Sequence, residues 1–227
     1  MNFTFGLITN SGDEDNINLL IIDSIEHQNI PNYEIIIVGD YSGSRDNLTV
    51  IQFDETIKPS WITRKKNIIT ENAKYDTIVY CHDYIKLCDG FYDGWKHFGD
   101  DWDIAMNVIK NKDGSRFRDW VVWDDPSYGN GRHISEPWCK ESLFFEGRAA
   151  LAPYSYSKTE YMYISGAYWV AKKRVMQHEP LNEEITWGQG EDLEWSKRVL
   201  AKYKYVMNRQ SSVELLKQKD VIFRMFE

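Results

Sequence analysis

The residues best suited to chemistry are gathered in Trp187-Gly188-Gln189-Gly190-Glu191-Asp192-Leu193-Glu194-Trp195. Two glycines let a backbone turn tightly and approach a ligand closely. The acids after them open a helix expected over Asp192 to Tyr203, whose far end carries Lys197, Arg198 and Lys202. Acids at a helix N-terminus and bases at its C-terminus complement the macrodipole, which explains the charges as a class. It does not explain an aromatic residue and two glycines placed directly before them. Successive helical residues point about 100° apart, so Glu191 and Asp192 face different directions. One is suited to hydrogen-bonding a substrate and the other to taking a proton.

Four more groups stand where ligands bind in an open α/β sheet, outside the carboxyl ends of parallel strands or at the start of a flanking helix. Thr9-Asn10 follows a first strand, Phe3 to Ile8, and Asp40 follows a second, Glu34 to Val38. His82-Asp83 follows a later one, Thr77 to Cys81, and Arg64-Lys65-Lys66-Asn67 opens the helix before it. Asp and Asn make turns and caps so often that each alone says little. Their joint placement on one rim is the signal. A carboxylate at Asp83 suits Mg²⁺ or Mn²⁺, hard cations that take oxygen ligands. One carboxylate is too few for an all-protein cage, so such an ion would be shared with a diphosphate. The three cations of 64–66 suit phosphate or form a solvated helix face. Neither a GxxxxGK[ST] phosphate loop nor a GxGxxG dinucleotide fingerprint occurs.

These groups need strands and helices in alternation to hold them. Asp13 to Gln28 carries Ile17, Leu20, Ile21, Ser24 and Ile25 at helical spacing, and Ile62 to Asn72 reads as a second helix. Leu48 to Phe53 is a further strand. Strand–helix alternation implies right-handed βαβ units and a mostly parallel sheet flanked by helices. After residue 90 the pattern changes: six of the nine tryptophans lie between Phe91 and Trp169. Strands are expected over Asp103 to Ile109, Arg118 to Trp123 and Ile164 to Val170, with a long loop from Asp124 to Lys140. No repeat or linker is visible. The expectation is one domain over 1–227, with residues 1–90 as one half and 91–227 as the other.

Composition narrows the function. Charged residues make up 27% and hydrophobic ones 42%, as in a globular chain. Lys plus Arg number 27 against 35 Asp plus Glu, a net charge of −8. That argues against a nucleic-acid binder, while leaving room for a small anion in a local basic pocket. No stretch approaches 18 apolar residues, so no transmembrane segment is expected. The start shows no basic region ahead of an apolar run, and three cysteines without a CxxC pair read as free thiols. A cytoplasmic protein is the expectation.

In the order of its motifs, nearly the whole chain resembles a GT-A fold glycosyltransferase, closest in layout to family 2. Phe5-Gly6-Leu7-Ile8-Thr9-Asn10 is similar to that family's opening strand and loop, and Ser24-Ile25-Glu26-His27-Gln28 resembles its first helix. Glu34 to Asp40 resembles its second strand, Lys66-Asn67 stands where the family has Arg-Asn, and Cys81-His82-Asp83 occupies its Asp-x-Asp position. Trp187 to Trp195 resembles the Glu-Asp motif of family 2 and the Trp-Gly-x-Gly-x-Glu-Asp motif of β-1,4-galactosyltransferases. Cys81 replaces the first acid of the metal motif, and no histidine follows His178.

The resemblance implies transfer of a sugar from a nucleoside-diphosphate sugar, UDP-linked, to the hydroxyl of a glycan or other acceptor, with inversion. Residues 1–90 would bind the nucleotide sugar, and 91–227 the acceptor. It implies Asp192 as general base and Glu191 beside it, with Asp83 holding Mn²⁺ or Mg²⁺. Thr9, Asn10, Asp40, Lys66, Asn67, His82 and Gly166 would line the donor site. Trp187 would contact sugar, and Trp120, Trp123 and Tyr128 the acceptor, because sugar C–H faces stack on aromatic rings. A carbohydrate-binding domain without turnover is the non-enzyme alternative. A sugar nucleotidyltransferase is the other, although the 9–14 loop lacks the glycine-rich basic character that class carries.

Overall fold

The computed structural model describes residues 1–10, 14–123, 125 and 149–219. Its centre is an eight-stranded sheet in the order β3-β2-β1-β4-β10-β6-β11-β5. β1 (Phe3–Ile8), β2 (Tyr33–Val38), β3 (Leu48–Ile51) and β4 (Thr77–His82) run parallel to one another. All six residues of β1 are buried, and so are the last four of β2. Such runs are apolar on both faces because helices cover both. β10 (Tyr168–Lys172) lies antiparallel between β4 and β6 (Ile104–Lys110), and β11 (Tyr205–Leu215) runs parallel to β6. The edge strand is β5 (Ile85–Leu87), antiparallel to β11. Four of the seven strand contacts are therefore parallel, as a mostly parallel sheet requires. A three-stranded sheet, β8-β7-β9, stands beside it, made of β7 (Val121–Trp123), β8 (Ala149–Leu151) and β9 (Met162–Tyr163).

The first helical stretch contains α1 (Glu14–Asn16), a π-helical Ile17–Ile22 and α2 (Asp23–Glu26). The π turn buries Ile17, Ile21 and Ile22 together, with Ile25 following on the same side. α3 (Ile62–Asn72) matches the sequence expectation at both ends. α4 (Phe91–Phe98) packs Phe91 and Trp95 onto Phe3 and Phe5. α5 (Lys173–His178) and α6 (Glu191–Val199) complete the set. Trp95, Trp169 and Trp195 are all buried, so the aromatic richness of the second half is mainly core.

Of the strand expected over Ile164 to Val170, only 168–170 is strand, within β10; residues 164–167 form the turn that links it to β9. A bridge between Ser165 and Tyr168 closes that turn. The strand expected from Arg118 is confined to Val121–Trp123, because Arg118 has φ +30° and cannot continue an extended strand. α6 ends at Val199 instead of Tyr203. The loop expected over 124–140 lies outside the described residues, apart from Asp125.

Candidate active site

The site grows from the carboxyl ends of β1, β2 and β4. The Thr9 hydroxyl donates a hydrogen bond to Asp83 Oδ2 at 2.8 Å, which locks two strand ends together. Asn10 and Asp40 are exposed beside them. β10 runs antiparallel to β4, so the turn entering β10 arrives at the same rim. There the His82 amide donates to Ala167 O at 3.1 Å.

That turn brings Gly166 against the two acids of α6. Its amide donates to Asp192 Oδ2 at 3.0 Å. A Cβ on Gly166 would stand 2.7 Å from Glu191 Oε1 and 3.1 Å from Asp192 Oδ2, so only glycine allows this approach without moving a carboxylate. Gly190, with φ +77°, turns the chain into α6 and delivers the acids onto its first turn. The Leu193 amide donates to Asp192 Oδ1 at 2.9 Å, fixing the second oxygen. Although the two acids are successive on the helix, an oxygen of each borders Gly166.

Adjacent lysines on α3 tie the rim together. A solvated helix face was one expectation for 64–66, but Lys65 and Lys66 are fully buried. Lys65 donates to Thr9 O at 2.6 Å and to Asn10 Oδ1 at 2.7 Å, and pairs with Glu55. Lys66, turned about 100° away, donates to Gly166 O at 2.8 Å. Its ammonium lies 3.8 Å from Glu191 Oε1 and 4.6 Å from the centre of the Trp169 ring. Burial of two cations is costly unless each is paired and hydrogen-bonded, and both are.

The electrostatics follow from burial. Glu191 is raised to about 7, first by burial and then by the charge of Asp192, with Lys66 opposing. Asp192 is also raised by burial. The Gly166 amide, Lys66 and Arg118 pull it back. Lys66 is lowered by burial against the support of the two acids. His82 is pushed well below its ordinary value by burial and by Lys66, Lys219 and Lys217, so its ring is neutral near pH 7. Its Nε2 is buried and makes no hydrogen bond among the described residues.

Asp83 and Asp192 share this neighbourhood. Tyr84, directly after Asp83, feels the charges of Asp83, Glu191 and Arg118, and Arg118 also acts on Asp192. Arg118, Tyr84, Lys217 and Lys219 were not anticipated from sequence. Tyr84 was visible beside the Asp-x-Asp position. The lysines follow a strand whose alternation a bulge disguises.

Other expected site residues lie elsewhere. The Asn67 amide nitrogen donates to Leu181 O and to Glu183 Oε1, both at 2.9 Å, while its oxygen accepts from the Leu181 amide at 3.0 Å. It fastens the 181–183 segment to α3, with both its amide nitrogen and its amide oxygen engaged there. Trp120 and Trp123 are only 4% and 3% exposed. Trp120 stacks on Tyr205 and donates to Tyr156 O, and Trp123 packs edge-on against Tyr163. Both side chains are packed in the core, with little surface to offer an acceptor. Tyr128 lies outside the described residues. Trp187 is 65% exposed, ahead of Gly188 and Gly190, where a ring can meet a ligand.

Among the described residues no three His, Cys, Asp or Glu side chains converge on a point that would hold a metal ion. The donor set at the rim is the Asp83 carboxylate. It fits a hard cation as one oxygen ligand among several, with diphosphate and water supplying the rest.

No family model matches the chain, and no curated protein matches it by sequence. Solved structures do. The crystal structure of S. aureus TarS 1-349 in complex with UDP-GlcNAc superposes with a TM-score of 0.60 at 14% identity, over 97% of this chain and 60% of that one. TarS 1-349 without that ligand gives 0.55 at 15% identity, over 99% of this chain and 60% of that one. GalNAc-T7 with UDP, GalNAc and Mn²⁺ gives 0.63 at 11% identity, over 96% of this chain and 44% of that one. The chain thus spans 60% or less of the length of these three structures. No helix among the described residues is long and apolar enough to cross a membrane. The fold of this chain is that of the GT-A glycosyltransferases.

Proposed function

We propose that the protein transfers a sugar from a nucleoside-diphosphate sugar, with UDP as the nucleotide, to an acceptor hydroxyl, inverting the anomeric carbon. The observation that carries this reading is the Glu191–Asp192 pair, Glu191 buried and Asp192 half-buried, with Asp192 braced by the Gly166 amide on the rim where Thr9 bonds Asp83. Solved structures of the same fold that hold UDP, UDP-GlcNAc or Mn²⁺ support the donor class.

In this reading Thr9, Asn10 and Asp40 meet the nucleoside at the strand ends. The diphosphate lies by Asp83, and the sugar extends toward α6. Asp192 takes the proton of the acceptor hydroxyl, its carboxylate already held by two amides, so little reorganisation is needed. Burial raises its proton affinity toward the working pH, which favours a general base. The acceptor oxygen attacks the anomeric carbon from the face opposite the diphosphate. The new C–O bond forms as the bond to the diphosphate oxygen breaks, and the negative charge leaves on that oxygen. Glu191 hydrogen-bonds a sugar hydroxyl, and Trp187 offers an exposed ring to a sugar face. Lys66 holds the Gly166 turn and opposes the gathered negative charge. Asp83 would hold Mn²⁺ or Mg²⁺ through its carboxylate, and the ion when bound would neutralise part of the diphosphate charge.

Asp192→Asn is the test. It should lower kcat by roughly 10²–10⁴-fold, as loss of a positioned base does, while UDP affinity stays within about twofold on the argument that the base acts on the acceptor. Transfer at the wild-type rate by a folded variant would remove Asp192 from the base position.

A further inference from the structure

The segment after β11 crosses the Asp83–Tyr84 turn and is pinned there by its backbone. The Leu216 amide donates to Tyr84 O at 2.8 Å, and the Lys219 amide to Asn111 Oδ1 at 3.0 Å. Gln218 Nε2 donates to Asp113 Oδ2 at 3.1 Å. Two ammonium groups are thereby held over one ring. Lys217 Nζ is 4.2 Å and Lys219 Nζ 4.1 Å from the centre of Tyr84, and Lys219 also donates to the Tyr84 hydroxyl at 2.8 Å. Arg118 is a third cation of this group, and acts on Lys219, Tyr84 and Asp192 alike. Its φ of +30° is unfavourable for a residue with a side chain, and such strain collects at ligand clamps.

Like charges gathered around one ring repel, and the opposite charge acting on Lys219 among the described residues is Asp83. Burial and the two neighbouring cations lower Lys219 to about 8, a sign of how crowded the positive charge is. A fold that fixes cations in this way has a use for an anion. The cluster sits on Tyr84, the residue after Asp83, and its charges reach Asp83 through Lys219 and Asp192 through Arg118. In the donor reading a nucleoside begins at the Thr9–Asp83 contact and a sugar ends at Asp192. The group between those two in a nucleotide sugar is the diphosphate.

We propose that Lys217, Lys219 and Arg118 grip the diphosphate of the donor beside Asp83 and take up part of its charge as the sugar leaves. This rests on the donor reading above and adds the residues that recognise its phosphates. Ammonium groups bind phosphate as point charges, and a guanidinium can fork across two oxygens. No proton changes hands at these groups. The same chemistry could serve a phosphate on the acceptor, but the position beside Asp83 favours the donor.

Titration calorimetry of the full chain with UDP and with uridine, each with chelator and with Mn²⁺, separates the possibilities. Wild type should bind UDP more tightly than uridine even with chelator, and that preference should shrink with added salt. Lys217→Gln combined with Lys219→Gln should weaken UDP binding by roughly 10- to 100-fold, the scale of losing charge-assisted hydrogen bonds, and leave uridine unchanged. Lys219→Arg should keep most of the affinity. If the double variant fails to fold, Arg118→Gln carries the same expectation. A folded variant that binds UDP like wild type would overturn the grip on the donor while leaving the donor reading standing. If it then loses affinity for a phosphorylated acceptor, the cations belong to the acceptor. A wild-type protein that binds no UDP, with or without Mn²⁺, would overturn the donor reading itself and this proposal with it.

Discussion

At the scale of single residues, the site depends on carboxylates that burial makes reluctant to ionise. Glu191 has an ordinary value of 4.5 and stands near 7 in the folded chain. Between those values the folded state keeps a proton that the unfolded state has shed, so this group's contribution to stability declines as pH rises through that window. Glu191→Gln removes the dependence. Its melting temperature relative to wild type should therefore increase by a few degrees between pH 5 and pH 8. A difference that stays flat across the range would show that Glu191 is not the perturbed member of the pair. The residue scale is also where sequence reading was most uneven. Trp-Gly-Gln-Gly-Glu-Asp stood out because an ordinary helix start does not require that whole string. Apart from the resemblance, Lys66 was legible only as one of three adjacent cations, since no pattern along the chain tells a buried lysine from a solvated one. The burial of Trp120 and Trp123 was not legible, because a tryptophan in a core and one in a sugar site have the same composition.

At the scale of elements, α3 divides its work by face. Lys65 and Lys66 reach the rim, and Asn67, about 100° further round the helix, reaches the 181–183 segment. Asn67→Ala should destabilise the protein by about 1–3 kcal/mol, the range for leaving buried polar partners unmatched. UDP affinity should remain within about twofold of wild type. A loss of UDP binding without loss of stability would place Asn67 in the donor site. Elements of the first ninety residues were readable because continuous β-branched runs alternate with helical spacing. β11 was not. Its register shifts between Asn208 and Ser212, and its buried positions change phase across the bulge, so no single period-two pattern runs the length of the strand. Missing β11 meant missing Lys217 and Lys219, which it carries to the Asp83–Tyr84 turn.

At the scale of the whole molecule, a parallel half supplies strand ends and an antiparallel insertion supplies the opposing wall. β10, entering between β4 and β6, turns Gly166 and the acids of α6 toward the rim formed by β1, β2 and β4. The net charge of −8 is compatible with an anionic substrate because positive charge is concentrated locally at Arg118, Lys217 and Lys219. The central claim is that Asp83 and Asp192, more than a hundred positions apart, flank one donor sugar. A crystal structure of the chain with an uncleavable UDP-sugar analogue tests this most directly. The account predicts the diphosphate beside Asp83 and the Lys217–Lys219 pair, with the anomeric carbon open on its far face to the Asp192 carboxylate. An analogue bound with its sugar directed away from α6, or bound away from the β1–β4 rim, would contradict it.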